Sequence, residues 1–153
     1  MTADSRAGLG RSVKGAGLRL FMNAISPSLL PVQDFNADDE FPTSLLVSLF
    51  GEQENWTVRG EEVGGALLRE LRLSASMNTE RALRETVRWL KAHHPGDPEV
   101  RVENADYRGA EIVIRLDYPP AFLQGIFQRI CWGTRGKSVI PSKDDPYRLA
   151  VRY

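Results

Sequence analysis

His93, His94 and Cys131 are the only imidazole and thiol side chains in the sequence, so a site built on soft or imidazole metal ligands, or on a thiolate, would have to start from them. Adjacent histidines on a helix point in different directions, and the spacings that hold zinc are absent. The pair reads as solvated imidazoles at a helix C-terminus, where positive charge is favoured by the helix dipole. Cys131, beside Trp132, would be a nucleophile only with a positioned base. No base is paired with it by spacing, and it reads as a buried or part-buried structural cysteine. Carboxylates cluster at Asp38-Asp39-Glu40, Glu61-Glu62 and Asp144-Asp145. Glycoside hydrolysis needs two carboxylates set across a cleft in different environments, which adjacency in a loop does not establish. Gly64-Gly65 and Gly133-Thr134-Arg135-Gly136-Lys137-Ser138 invite a phosphate-loop reading, but the second lacks four residues between its first glycine and the Gly-Lys pair. No enzymatic activity, metal or cofactor is expected.

The elements that would position these residues centre on Asn78 to Tyr118. Helical spacing puts Leu83, Val87 and Leu90 on one face, with Arg81, Arg84, Glu85, Arg88 and Lys91 outward. Asn78 is the expected N-cap, and Pro95 ends the helix near His94. The period then changes to two: Val100 and Val102 alternate with Arg101 and Glu103, and Ile112, Ile114, Leu116 and Tyr118 alternate with Glu111, Val113, Arg115 and Asp117. A hairpin with one apolar face, laid on the apolar stripe of the helix, buries both surfaces.

Further helices are expected at about 42–51, 63–73 and 121–132, a short strand at 18–22 and a last strand from Tyr147 to Tyr153. Glu52 to Glu62, containing Trp56 and Arg59-Gly60, and Gly133 to Pro146 read as loops. The predicted class is α+β: a small antiparallel sheet, the hairpin of about 99–118 plus the terminal strand, packed on two or three helices. The predicted organisation is a flexible basic arm over 1–17, a core over 18–118, and an extension over 119–153 carrying a helix and the terminal strand. Such a strand can complete its own sheet or add to the edge of another.

The 153 residues suit one domain with extensions, and 42% hydrophobic with 26% charged content is that of a globular protein. No apolar run reaches the roughly 20 residues needed to cross a bilayer. The early arginines lack a following apolar stretch, so no secretory signal is expected. A single cysteine excludes an internal disulfide and suits a reducing compartment. Net charge is zero but segregated, with basic ends and an acidic stretch over 33–62, a pattern that can steer a chain onto neighbouring copies or other partners. The basic ends also admit an alternative, a nucleic-acid-binding regulatory protein. Against it, the hairpin's outward residues are mixed in sign and not interleaved with aromatics.

The order of motifs adds a resemblance. Phe41-Pro42-Thr43-Ser44-Leu45-Leu46-Val47-Ser48-Leu49-Phe50, then Gly64-Gly65-Ala66-Leu67-Leu68-Arg69-Glu70-Leu71, then Asn78-Thr79-Glu80-Arg81 opening a helix that ends Val87-Arg88-Trp89-Leu90, resembles a Mu-like phage baseplate protein family. It is similar also to the small sheath-initiating wedge proteins of contractile tails, some of which are labelled lysozyme-like. The similarity spans about 40–118. Two departures stand out: Asp97-Pro98-Glu99-Val100 replaces a Glu-Pro-Arg-Val stretch, and Arg59-Gly60-Glu61-Glu62-Val63-Gly64-Gly65 replaces a glycine-flanked Asn-Pro loop.

The resemblance implies a structural, non-enzymatic protein of the virion, in the tail baseplate, made in the host cytoplasm during assembly. Its implied partners are other wedge, hub and tube proteins and the tail sheath protein, in multiple copies, six per assembly, with no membrane and no specific nucleic acid. Strand addition would join it to the first sheath ring, with the termini as reaching arms. The expected interface comprises Arg59, Gly60, Asp97, Pro98, Glu99, Arg101, Tyr147, Leu149, Val151 and Tyr153.

Overall fold

The computed structural model describes residues 9–25, 36–51 and 55–153. Its elements are β1 (Ser12–Lys14), α1 (Gly15–Ile25), β2 (Glu40–Pro42), α2 (Ser44–Phe50), α3 (Trp56–Glu70), α4 (Thr79–Ala92), β3 (Val100–Glu103), β4 (Gly109–Ile114), α5 (Pro120–Gly133), β5 (Ser138–Pro141) and β6 (Arg148–Arg152). The class is α+β. Two antiparallel sheets form, a pair β1-β2 and a four-stranded sheet in the order β3-β4-β6-β5.

The central unit folds for local reasons. Asn78 accepts a hydrogen bond from the Arg81 amide (3.2 Å) and so caps α4. Ala82, Leu83, Val87 and Leu90 are buried along one face of that helix. The hairpin pairs Val100 with Ile114 and Val102 with Ile112, keeping the apolar positions on one side.

Several expectations are corrected by contacts from distant sequence. Residues 18–22 are helical, within α1. Leu18, Phe21, Met22 and Ile25 share its buried side, and the first amides are satisfied from afar, Gly15 N donating to the Asp39 carbonyl (2.7 Å) and Ala16 N to that of Ala37 (3.0 Å). Of the predicted flexible arm over 1–17, residues 1–8 lie outside the described residues. Residues 9–17 are built in: Leu9 and Val13 are buried, and Gly10 bridges Leu116.

Trp56 to Glu62, expected in a loop, forms the first turns of α3, capped by Asn55, which accepts from the Val58 amide (3.3 Å). Glycine lowers helix propensity, yet Gly60 is there because α3 presses against α5. A Cβ on Gly60 would run into the Phe122 carbonyl, and one on Gly125 into that of Thr57.

Residues 119–153 are not an appendage. Phe122, Leu123, Ile126, Phe127 and Ile130 of α5, with Val139, Leu149 and Val151 of the strands, belong to the same buried cluster as Phe21, Leu67 and Leu83. The expected loop over 133–146 contains β5, an edge strand. The terminal strand β6 lies inside the sheet, paired on both sides, and is not available to another protein's edge.

Candidate interaction surface

One face of the four-stranded sheet covers the core and the other is open. On the open face stand Glu99, Arg101 and Glu103 from β3 and its approach, Glu111 and Arg115 from β4 and its continuation, and Arg148 from β6, held in register by the pairing of Arg101 with Val113 and of Val113 with Arg148. Their charges alternate across strands, the arrangement that favours cross-strand ion pairs. Arg101 donates to Glu99 (2.7 Å) and Glu103 (2.6 Å). Arg148 donates to Glu103 (2.8 Å) and Glu111 (3.4 Å), and Arg115 to Asp145 (2.9 Å). Hydrogen bonds from Arg101 to Glu99, and from Arg148 and Arg101 to Glu103, hold both carboxyls below the usual glutamate range. Beneath this ladder Val113 is buried although it lies on the outward side, as long arginine stems spread over a sheet can achieve.

The expected interface residues divide sharply. Asp97, Glu99 and Arg101 are exposed and adjoin the β3 edge. Asp97 adopts a left-handed conformation (φ 52) and lies 3.4 Å from Lys91. Tyr147 and Tyr153 are half-buried at the two ends of β6. Gly60, Pro98, Leu149 and Val151 are buried and cannot meet a partner. Gly60 faces α5, Pro98 touches Gly10, and the two strand residues point into the core. Arg59 lies on α3, half-buried and paired with Glu62 (2.8 Å), away from the sheet face. The sheet therefore gathers part of the expected set and excludes the rest.

Exposed apolar side chains that the sequence reading passed over are Tyr107 (81% exposed) at the hairpin tip, Ile140 (59%) on β5 and Trp132 (54%) on α5. Tyr107 could have been found from its place beside the turn residues Asp106 and Gly109. Ile140 could not, because its strand was not recognised.

The histidines, the cysteine and the glycine stretches are built into the fold. His94 is buried, with Nδ1 on the Leu90 carbonyl and Nε2 2.7 Å from the Tyr118 hydroxyl. Nδ1–H donates to the carbonyl, so Nε2 accepts from Tyr118. Burial drives its pKa down to about 4, opposed by the Leu90 hydrogen bond and aided by the neighbouring His93. This corrects the reading of two solvated histidines: only His93 reaches the surface, stacked on Trp89 at 4.0 Å. Cys131 is buried under β5 and β6, and burial raises its pKa, the opposite of nucleophile activation. Gly133 to Ser138 leaves the C-terminus of α5, with Gly136 N donating to the Cys131 carbonyl (2.7 Å). A phosphate loop leads into a helix N-terminus instead. Gly64 and Gly65 lie inside α3. Among the described residues no group of three or more His, Cys, Asp or Glu side chains could hold a metal, and no helix is long and apolar enough to cross a membrane.

An open groove of about 580 Å³ lies between α1, α3 and α4, lined by Arg19, Asn23, Arg69, Glu70, Trp89 and His93. It is shallow and of mixed polarity, and brings no nucleophile beside a base. Comparison with protein-family models, with curated proteins and with solved structures finds no match.

Proposed function

We propose that this chain is a structural wedge and sheath-initiating protein of a contractile phage tail baseplate, or of a related injection machine. It bridges inner baseplate partners and the first ring of tail sheath protein. The observation that carries this reading is the order of motifs over about 40–118, which correspond in the fold to α2, α3, α4 and the β3-β4 hairpin in succession.

Strand addition remains the proposed mode, with the chain as the receiving partner, since β6 and residues 9–17 are already engaged within the fold. Arg115 N donates to the Glu99 carbonyl (2.8 Å), so odd-numbered backbone positions of β3 face β4 and even-numbered ones face away. Val100 is buried, which leaves Val102 as the accessible backbone position of this edge, flanked by Arg101 and Glu103. An extended partner segment laid there gains main-chain hydrogen bonds, while the charged ladder beside it sets register and discourages uninvited pairing.

Amide hydrogen exchange, on the free chain and within purified tail particles, tests the mode. The Val102 amide is expected to slow by at least about tenfold in the particle, as ladder bonding protects it. Unchanged exchange along β3 in the particle would overturn strand addition at this edge.

A further inference from the structure

The end of the four-stranded sheet that carries the hairpin tip is crossed by a row of cations. Gly109, Arg152 and Ser138 face one another across β4, β6 and β5. Beside them Tyr153 N donates to the Arg108 carbonyl (3.0 Å) and Lys137 N to that of Arg152 (2.8 Å). Arg108, Arg152 and Lys137 therefore succeed one another from strand to strand, at a backbone spacing of roughly 5 Å. Arg135 extends the row into the turn between α5 and β5. All four are exposed, and none is in an ion pair among the described residues. Arg135 holds a left-handed backbone conformation (φ 65), which glycine adopts freely and arginine only at a cost. The turn keeps a cation where glycine would suit the backbone better.

Two carboxylates, Asp106 and Glu111, line a shallow cleft of about 310 Å³ together with Arg108 and Arg152, so the cleft itself is of mixed charge. Asp106 is turned into the hairpin, accepting from the Arg108 and Gly109 amides (2.8 and 3.1 Å). Glu111 accepts from Asn104 (2.8 Å) and from Arg148 (3.4 Å), whose charge opposes its own. Arg135 and Lys137 stand outside the cleft. The excess of positive charge therefore lies along the row and not inside the cleft. It is also distinct from the open face of the sheet, where the signs alternate and the side chains pair with one another.

Tyr107 stands at the β4 end of the row and is 81% exposed. The Arg108 guanidinium lies over one face of its ring, 5.2 Å from the centre, and donates to its hydroxyl (2.9 Å). That contact steadies the ring and leaves the opposite face open. Cations that track a backbone, joined to an aromatic face on which a base can stack, are the means by which single strands are held. We propose that this end of the sheet binds single-stranded nucleic acid, its phosphates on Arg108, Arg152, Lys137 and Arg135 and a base on Tyr107. Such contacts read no sequence. A peptide would need a carboxylate at every step to follow the row, whereas a nucleic acid supplies a phosphate with each nucleotide. In a duplex the bases are already stacked and do not reach the ring. The inference does not draw on the baseplate reading.

Fluorescence anisotropy of a labelled oligothymidylate of about 15 nucleotides, titrated with the full chain at about 25 mM salt, tests it. All variants carry changes at exposed positions, and their folding is verified by circular dichroism. The wild type is expected to bind, with a slope of log affinity on log salt of roughly −2 to −3, about 0.7 for each phosphate held. Lys137→Ala/Arg152→Ala should weaken binding by about tenfold and bring the slope nearer zero by about 1. Tyr107→Ala should weaken it by about fivefold with the slope unchanged, and Tyr107→Phe should restore it. Lys143→Ala, an exposed cation beyond the other end of β5, should leave it as it is. No binding at about 100 μM chain under these low-salt conditions, or a loss no larger for the double variant than for Lys143→Ala, would overturn the proposal. Equal affinity for a duplex or for phosphatidylserine vesicles, with Tyr107→Ala without effect, would mean an unselective cationic surface and overturn it as well.

Discussion

Lowering the pH from neutral towards 5 should destabilise this protein through the buried imidazole of His94. In the folded chain its pKa lies at about 4, chiefly because burial disfavours the cation. In the unfolded chain it returns to the ordinary value near 6.5. As pH falls below about 6.5 the unfolded chain binds the proton first, so stability decreases through that window and levels off once the folded form also protonates near 4. Above about 6.5 the imidazole is neutral in both states and the effect vanishes. At about 1.4 kcal/mol per pKa unit, the loss reaches about 2 kcal/mol by pH 5 and about 3 kcal/mol in full. The assay is urea denaturation between pH 7.5 and 4.5 for the wild type and for His94→Gln, which cannot titrate. The substitution itself lowers stability at every pH, since it disturbs the Leu90 and Tyr118 hydrogen bonds. The informative quantity is the wild-type-minus-variant difference, which should shrink by about 2 kcal/mol between pH 7.5 and 5. A difference that stays constant within about 0.5 kcal/mol would refute the argument that burial holds this imidazole neutral.

Other expectations follow from packing and capping. Gly60→Ala should destabilise by about 2 kcal/mol or more in urea melts, because the methyl group meets backbone, the Phe122 carbonyl, which cannot rotate away. Asn78→Ala should cost about 1 kcal/mol through the lost cap on α4, read in the same melts. Cys131 should resist a thiol reagent in the native state and react stoichiometrically once denatured, because it is buried with a raised pKa; fast native labelling would contradict the burial.

The parts of the fold legible in the sequence are those whose causes are local. Asn78 announces the start of α4, the Leu83-Val87-Leu90 stripe its buried face, and the alternation after Val100 the hairpin. What escaped depends on partners far along the chain. Helix α1 is capped by carbonyls of residues 37 and 39, which no pattern around Leu18 reveals. Gly60 reads as part of a loop because its reason, the close approach of α5, lies some sixty residues away in sequence. Strand β5, four residues ending in a proline, is too short to display its alternation. The same limit governs the interface set. Leu149 and Val151 face the core and Glu99 and Arg101 the open side through the alternation itself, and only the order of the strands shows that β6 is interior while β3 is an edge. His94 was misread for a related reason: the end of a helix is usually wet, and here Tyr118 and Phe21 close over it.

The composition of the particle decides whether this chain is a baseplate component. Quantitative mass spectrometry of purified contractile tails or injection particles from the source of this chain should find its peptides at a constant low ratio to the sheath protein, corresponding to one ring of copies at the baseplate. Its absence from particles that retain an intact baseplate, with the chain recovered elsewhere in the lysate, would contradict a place in the baseplate.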